Sequence, residues 1–155
     1  MKIRKATKKD LESLVELNIS LAKYERKICK HLVDPEKVRK EYAKEYENRF
    51  KQKKSIFFVA EENEKIVGYI LGEVQRPYHP HIFKNRGYIV DAFVLKKYRG
   101  KGIGEKLTER LIEWFKSKGI KWIKVSAYTN NEIRIKFWKK MGFKDYVIDM
   151  TKIEE

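Results

Sequence analysis

Two spacings of apolar residues alternate along the chain and divide it into a sequence of short elements. Residues 2–6 read as an edge strand, and Thr7 and Asp10 then stand at capping-box spacing. Leu11, Leu14, Val15, Asn18 and Leu21 follow on one helical face. Asp34-Pro35 pairs an N-cap residue with proline at the first helical position, and Val38, Tyr42, Tyr46 and Phe50 recur every fourth residue behind it. That aromatic stripe fits a buried face, or the wall of a substrate pocket in which tyrosine hydroxyls can hydrogen-bond. Residues 55–60 and 65–74 form a hairpin around the turn Glu61-Glu-Asn-Glu64, and a loop with Pro77, His79, Pro80 and His81 follows. Residues 88–95 are apolar apart from Asp91, as in a central strand covered on both faces. A glycine-rich turn leads into a helix over 105–118, with Leu107, Leu111, Trp114 and Phe115 inward and Gly119 at its end. A strand over 121–127, a helix over 131–141 and a last strand opened by Gly142-Phe143 complete the order β, α, α, β, β, β, α, β, α, β. The prediction is one α/β domain spanning 1–155, a mixed sheet with helices on both faces.

Charge adds a possible class of partner without naming one. The chain has 155 residues, 37 basic and 22 acidic, for a formal net charge of +15. Such an excess attracts nucleic acid, anionic membrane or a phosphorylated ligand. Basic and acidic residues interleave: residues 23–54 carry twelve and six, and residues 84–121 eleven and four, so no detachable basic tail stands out. No aromatic nucleic-acid motif accompanies the charge, which makes a basic nucleic-acid-binding module the weaker reading. Charges interrupt every apolar run, so no membrane span is expected, and the start lacks the apolar core of a signal peptide. The expected compartment is the cytoplasm. With Cys29 alone there is neither an intrachain disulfide nor a cysteine-based zinc site, and His79 and His81 have too few companions for a metal centre. The expected metal content is none.

The run Arg99-Gly100-Lys101-Gly102-Ile103-Gly104 carries the most chemistry. A glycine-rich turn between a strand and a helix can aim several backbone N–H groups at one anion, and the helix N-terminus adds favourable potential. Arg99 and Lys101 add cationic side chains, with Lys96 and Lys97 just upstream. The turn lacks the Lys-Ser/Thr ending of a mononucleotide loop. It also lacks the glycine spacing and early position of a dinucleotide fingerprint. A pyrophosphate bridge fits it well.

At these residues the sequence resembles the GNAT acyl-CoA N-acyltransferases. Their cofactor motif, Arg or Gln, two residues, Gly, one residue, Gly or Ala, is matched by Arg99, Gly102 and Gly104. A second pattern is matched by Asn131, Phe137-Trp138 and Gly142-Phe143, and the opening strand with Thr7-Lys-Lys-Asp10 looks like the usual start of such domains. The resemblance implies a mostly antiparallel sheet in which strands 88–95 and 121–127 splay apart to admit the thioester. It implies acetyl-CoA as co-substrate, with the backbone at Phe93, Val94, Leu95 and Lys96 beside the pantetheine arm. The pyrophosphate would lie on residues 100–104, and Asn131 and Trp138 would stand beside the pantetheine or the helix entrance. It implies direct transfer to a primary amine, on a small molecule or a protein, in a ternary complex without an acyl-enzyme; a homodimer is compatible with this.

Such a transfer needs a group to take a proton from the ammonium and one to stabilise the departing thiolate. Asp91, interrupting an apolar strand, is the candidate base, since a carboxylate there is costly unless hydrogen-bonded or open to the active slot. Alternation would place it with Ile89, Phe93 and Leu95. The structural alternative is a carboxylate that caps the nearby loop or pairs with Arg86, and Glu73 is a second candidate base. The family often has a tyrosine acid where this chain has Trp138, whose indole N–H is no acid in this range. Tyr128 is the candidate replacement, with a pocket-lining role as its alternative, and Tyr146 is a weaker one. The competing functional class is a non-catalytic acetyl-CoA sensor on the same fold.

Overall fold

The computed structural model describes residues 1–154. Five strands, β1 (Lys2–Lys5), β2 (Ser55–Glu62), β3 (Lys65–Gln75), β4 (Arg86–Val94) and β5 (Ile123–Val125), lie in one sheet in sequence order. The first three pairings are antiparallel and β4–β5 is parallel. Two helices, α1 (Leu11–Ile28) and α2 (Arg39–Phe50), cover one face, and α3 (Ile103–Ser117) and α4 (Glu132–Lys140) lie toward the other.

Strand alternation gives each face its own core. Ile56, Phe58 and Ile70 pack with Leu107, Leu111 and Phe115 of α3. Phe57, Val59, Tyr69 and Leu71 pack with Leu14 and Val15 of α1 and Tyr46 of α2. The entrance to α1 forms as its spacing predicts: the Thr7 N–H donates to Asp10 Oδ2 at 2.8 Å, and Arg4 clamps the same carboxylate. Asp34 accepts from the Glu36 N–H at 3.1 Å at the turn leading to α2.

Two features of β4 decide the site. It pairs with β5 only at Gly87, Tyr88 and Ile89, so from Val90 to Val94 its sheet neighbour is β3 alone. The two central strands therefore splay, as the family resemblance implied. In addition, Leu71 faces Asp91 while Gly72 faces Ile89, which leaves Val90 as the extra residue of a β-bulge. The bulge corrects the expected facing of this strand. Ile89 points into the α3 core, whereas Val90 and Phe93 join the α1–α2 core, and Asp91 bonds to Tyr46 on that same side.

The last predicted strand is absent: residues 143–154 adopt no regular structure. Phe143 packs on Trp138, and its N–H donates to the Trp138 carbonyl at 3.0 Å. Beyond it Tyr146, Ile148 and Met150 alternate like a strand but stay exposed, without the sheet neighbour that would pair them. No helix among the described residues is long and apolar enough to cross a membrane.

Candidate active site

The splay of β4 from β5 opens a cleft of about 490 Å³ between the end of β4, the start of α3, and α4. Phe93, Val94, Arg99, the glycines of the turn, Ile103 and Trp138 line it, with Tyr24 of α1 and Arg134 and Phe137 of α4. Gly100 and Gly102 have φ of 75° and 73°, in the left-handed region that favours glycine. This conformation turns the chain into α3, whose first N–H groups have no helical partner and are left for an anion. A Cβ on Gly104 would sit 3.3 Å from the Phe137 ring, so the turn also packs closely on α4.

Arg99 does not extend toward the turn. Its Nε donates to the Val94 carbonyl at 2.8 Å, and its guanidinium lies 5.2 Å from the centre of the Phe93 ring and 5.9 Å from that of Tyr24. It thus holds the end of β4 against α1. The Leu95 N–H is taken by the Val67 carbonyl at 2.9 Å, and Lys96 opens a single helical turn that ends before Arg99. Lys96 and Lys101 are exposed, with Lys101 Nζ 5.5 Å from the centre of the Tyr98 ring.

Two donors at α4 are buried without a partner, Asn131 Nδ2 at its N-cap and Trp138 Nε1, and Trp138 lines the cleft. Asn131 caps α4, its Oδ1 accepting from the Arg134 N–H at 3.2 Å and from Tyr24 Oη at 3.3 Å. A buried donor left unpaired is costly, so this pair fits a ligand with carbonyl acceptors, as a pantetheine arm has. Trp138 is a core residue, packed edge-on against Phe137 and Phe143.

On the α1–α2 side stands a second set of groups. Tyr46 Oη donates to Asp91 Oδ2 at 2.7 Å, lies 2.9 Å from Tyr69 Oη, and accepts from Asn18 Nδ2 at 2.7 Å. Asp91 keeps partial exposure, yet desolvation dominates its surroundings and raises its pKa; Tyr46 and Arg134 oppose the rise and Glu45 adds to it. Arg86, the alternative partner, pairs with Gln75 and lies over Trp122. Glu73 is engaged elsewhere: burial pushes its pKa up, but Lys54 at 2.9 Å and Arg49 at 2.5 Å bring it below the ordinary value.

Glu25 and Arg134, neither singled out in the sequence, meet at 2.9 Å, and Arg134 lines the cleft. Burial raises the Glu25 pKa, Arg134 lowers it, and Asp91 raises it, which places the two carboxylates within each other's field. Tyr128 stands beside Cys29 at the end of α1; desolvation chiefly, then Cys29 and Glu25, raise its phenol pKa while Arg134 lowers it. Tyr42 feels Asp91, Glu25 and Glu45 in the same way, after desolvation. Glu25 and Arg134 thus act on both Asp91 and Tyr128, and Tyr42 feels Asp91 and Glu25, whereas Tyr146 stands edge-on to Trp122. His81 stacks on Trp122 at 4.2 Å, and His79 lies edge-on to Tyr78. The sequence held one signal for this half: Asn18 on an apolar helical face and Asp91 in an apolar strand each required a buried partner.

A fold with a splayed β4–β5 pair, a left-handed glycine turn and a helix N-terminus at the splay is the architecture of an acyl-CoA-dependent transferase. The chain belongs to the acetyltransferase (GNAT) family, whose model matches residues 22–143. Acetyl-CoA is the co-substrate of that family. The chain is 32% identical over 89 residues to N-alpha-acetyltransferase 30 of Schizosaccharomyces pombe, covering 57% of each protein. It is 31% identical over 111 residues to an N-alpha-acetyltransferase of Sulfurisphaera tokodaii, covering 68% of this chain and 62% of that one. The chain thus spans about three fifths of the length of these curated relatives. A protein of Clostridium acetobutylicum, named a predicted acetyltransferase and solved with acetyl-CoA, has the same fold, with a TM-score of 0.78 at 23% identity over 97% of this chain and 95% of that one.

Proposed function

We propose that this protein transfers the acetyl group of acetyl-CoA directly to a primary amine, and that the α-amine of a polypeptide is the acceptor class to test first. The observation that carries this reading is Asp91: a carboxylate on the strand that borders the cleft, poised by burial to accept a proton. The names of two relatives, both N-alpha-acetyltransferases, support the choice of acceptor.

The N–H groups at the start of α3 would hold the pyrophosphate, with Lys96 and Lys101 adding positive charge at the mouth. Asn131 Nδ2 and Trp138 Nε1 would satisfy carbonyls of the pantetheine arm. Bound acetyl-CoA supplies an acyl thioester already reactive toward amines. Asp91 takes the proton from the acceptor ammonium, so that the neutral amine attacks the acyl carbon. As the C–S bond breaks, the second proton lost from nitrogen replaces the one that Tyr128 gives to the sulfur. Tyr128, whose phenol pKa burial raises above its ordinary value, is the group that donates a proton to the departing sulfur. Cys29 has no part, since the amine itself is the nucleophile.

A thiol-release assay with acetyl-CoA and a panel of amines tests the reading. The panel holds a peptide with a free N-terminus, an Nα-blocked peptide with an internal lysine, a polyamine and an aminoglycoside. Turnover is expected on the free N-terminus. Tight CoA binding without turnover on any amine would remove the enzyme reading and leave a CoA-binding module. Turnover confined to the polyamine or aminoglycoside would move the acceptor to small molecules.

A further inference from the structure

Resting on the reading of Asp91 as the proton acceptor, we infer that Tyr46 is a positioning residue. It is the end of a buried hydroxyl relay, Asn18–Tyr69–Tyr46, that orients the Asp91 carboxylate and sets how readily it takes a proton. The relay joins residues from four elements, α1, α2, β3 and β4. Tyr46 is 1% exposed and Tyr69 is 0% exposed, so neither hydroxyl can turn to water for a replacement partner.

The directions of the hydrogen bonds follow from counting protons. A tyrosine hydroxyl has one hydrogen and two lone pairs. The Tyr46 hydrogen goes to Asp91 Oδ2 at 2.7 Å, so the 2.9 Å contact with Tyr69 must have Tyr69 as donor. The second lone pair of Tyr46 accepts from Asn18 Nδ2 at 2.7 Å, and the same amide nitrogen reaches Tyr69 Oη at 3.3 Å. Every donor in the chain therefore points toward the carboxylate, and each bond polarises the next. Among the described residues this is the hydrogen bond that Asp91 receives, and it falls on one oxygen, leaving Oδ1 for the acceptor amine.

Protonation leaves the direction of the relay unchanged. When Asp91 takes a proton on Oδ1, Oδ2 still accepts from Tyr46, and that bond weakens because it now meets a neutral carboxyl instead of a carboxylate. The relay therefore favours the charged form of Asp91 without blocking the oxygen that receives the proton.

Other charged groups act on Asp91, and the test must separate them from the relay. Glu45 and Arg49 face it from α2, Arg134 from α4 and Glu25 from α1; the phenols of Tyr42 and Tyr69 lie within its field. The variant Tyr46→Phe changes none of those charges and keeps the ring that packs edge-on against Phe57 at 4.9 Å. Removing the hydroxyl withdraws a hydrogen bond to the charged form, so the carboxyl should hold its proton to higher pH, by about one pH unit.

The readout is the ¹³Cγ titration of Asp91 in protein labelled at aspartate, assigned with Asp91→Asn, alongside the pH profile of kcat/KM. In Tyr46→Phe the titration midpoint and the acid limb of the profile should rise together, with the CoA Kd unchanged. Tyr69→Phe should move both in the same direction by less. A midpoint unmoved in Tyr46→Phe overturns the relay, whatever happens to the rate. An acid limb that persists in Asp91→Asn overturns the reading of Asp91 as the base, and with it the relay's use in catalysis; the carbon titration still decides the coupling.

Discussion

The two halves of the cleft are built by different means. The half proposed for the acyl donor is backbone: glycines 100 and 102 in left-handed conformation, the open N–H groups of α3 and the unpaired edge of β4 beyond Ile89. The half proposed for the acceptor is side chains, contributed by α1, α2, β3, β4 and α4, and held by hydrogen bonds and one ion pair. A backbone cradle depends on local conformation and tolerates many side chains around it. A side-chain constellation depends on several elements meeting, so a single substitution can leave a buried polar group without a partner. The difference predicts that mutations will sort cleanly into those that weaken CoA binding and those that slow turnover.

The largest effect is expected from Asp91→Asn. The amide cannot take the ammonium proton, and kcat should fall about 10²- to 10³-fold, with CoA affinity by calorimetry unchanged. Loss of CoA binding in this variant would join the two halves that the structure keeps apart.

The mirror experiment is Gly102→Ala. A Cβ there meets nothing within 4 Å, so the substitution acts through conformation: φ is 73°, which costs an alanine about 1–2 kcal/mol. The CoA Kd should rise about tenfold, while kcat at saturating acetyl-CoA changes little. A drop in kcat at saturation with unchanged Kd would show that the turn takes part in chemistry.

These two sites also differ in how far the sequence exposes them. The turn is six consecutive residues between a buried strand and an amphipathic helix, and the left-handed conformation of Gly100 and Gly102 is a local property. Its glycines are legible without coordinates, while the splay next to it entered only as what the family resemblance implied. Asp91 is legible as an anomaly in an apolar strand, but its partners are not. Asn18, Tyr46 and Tyr69 are scattered over three elements, and only tertiary pairing brings their polar atoms within 2.7–3.3 Å. The bulge at Val90 depends on β3–β4 register, so alternation along β4 put Ile89 on the wrong face. The reverse error occurred at the end of the chain. Gly142-Phe143 and the apolar residues after it read as the opening of a strand, but a strand needs a hydrogen-bonded neighbour, and none is paired there. Glu25 and Arg134 carried no signal because charged residues on helices are usually solvated.

A smaller effect tests the bridge across the acceptor half. Arg134 pairs with Glu25 where both side chains are mostly buried, at 15% and 26% exposure. Arg134→Met leaves the Glu25 carboxylate without its cation and should cost about 1–2 kcal/mol in thermal or denaturant unfolding. Glu25→Gln in the same background should recover part of that loss, because the stranded charge is then gone. Equal losses in the single and double variants would show that the pair contributes packing alone.

The subtlest prediction sets Asp91 against Asp10, two aspartates with opposite electrostatic histories. Asp10 is held below the ordinary carboxylate range, chiefly by its hydrogen bond from Arg4, against the cost of burial. Its charged form is favoured by folding, so its contribution is present above the unfolded pKa and is lost as pH falls through the depressed folded value. Asp91 is shifted up by burial, so the folded state binds its proton more tightly than the unfolded chain does. Stability then falls as pH rises from the unfolded pKa through the folded one, and the deficit persists at neutral pH. Replacing each by Asn should therefore act in opposite directions at pH 7: Asp10→Asn lowers the Tm and Asp91→Asn raises it. Both differences should shrink on acidification, the Asp91 gap closing near the unfolded carboxylate pKa and the Asp10 gap closing only below it. If Asp91→Asn instead lowered the Tm at pH 7, the bond from Tyr46 would outweigh burial, and the carboxylate would be a structural group that the fold prefers charged. A raised Tm together with lost turnover would mark Asp91 as a residue the fold keeps at a cost to its own stability, which is expected of a group positioned for proton transfer and not of one positioned for packing.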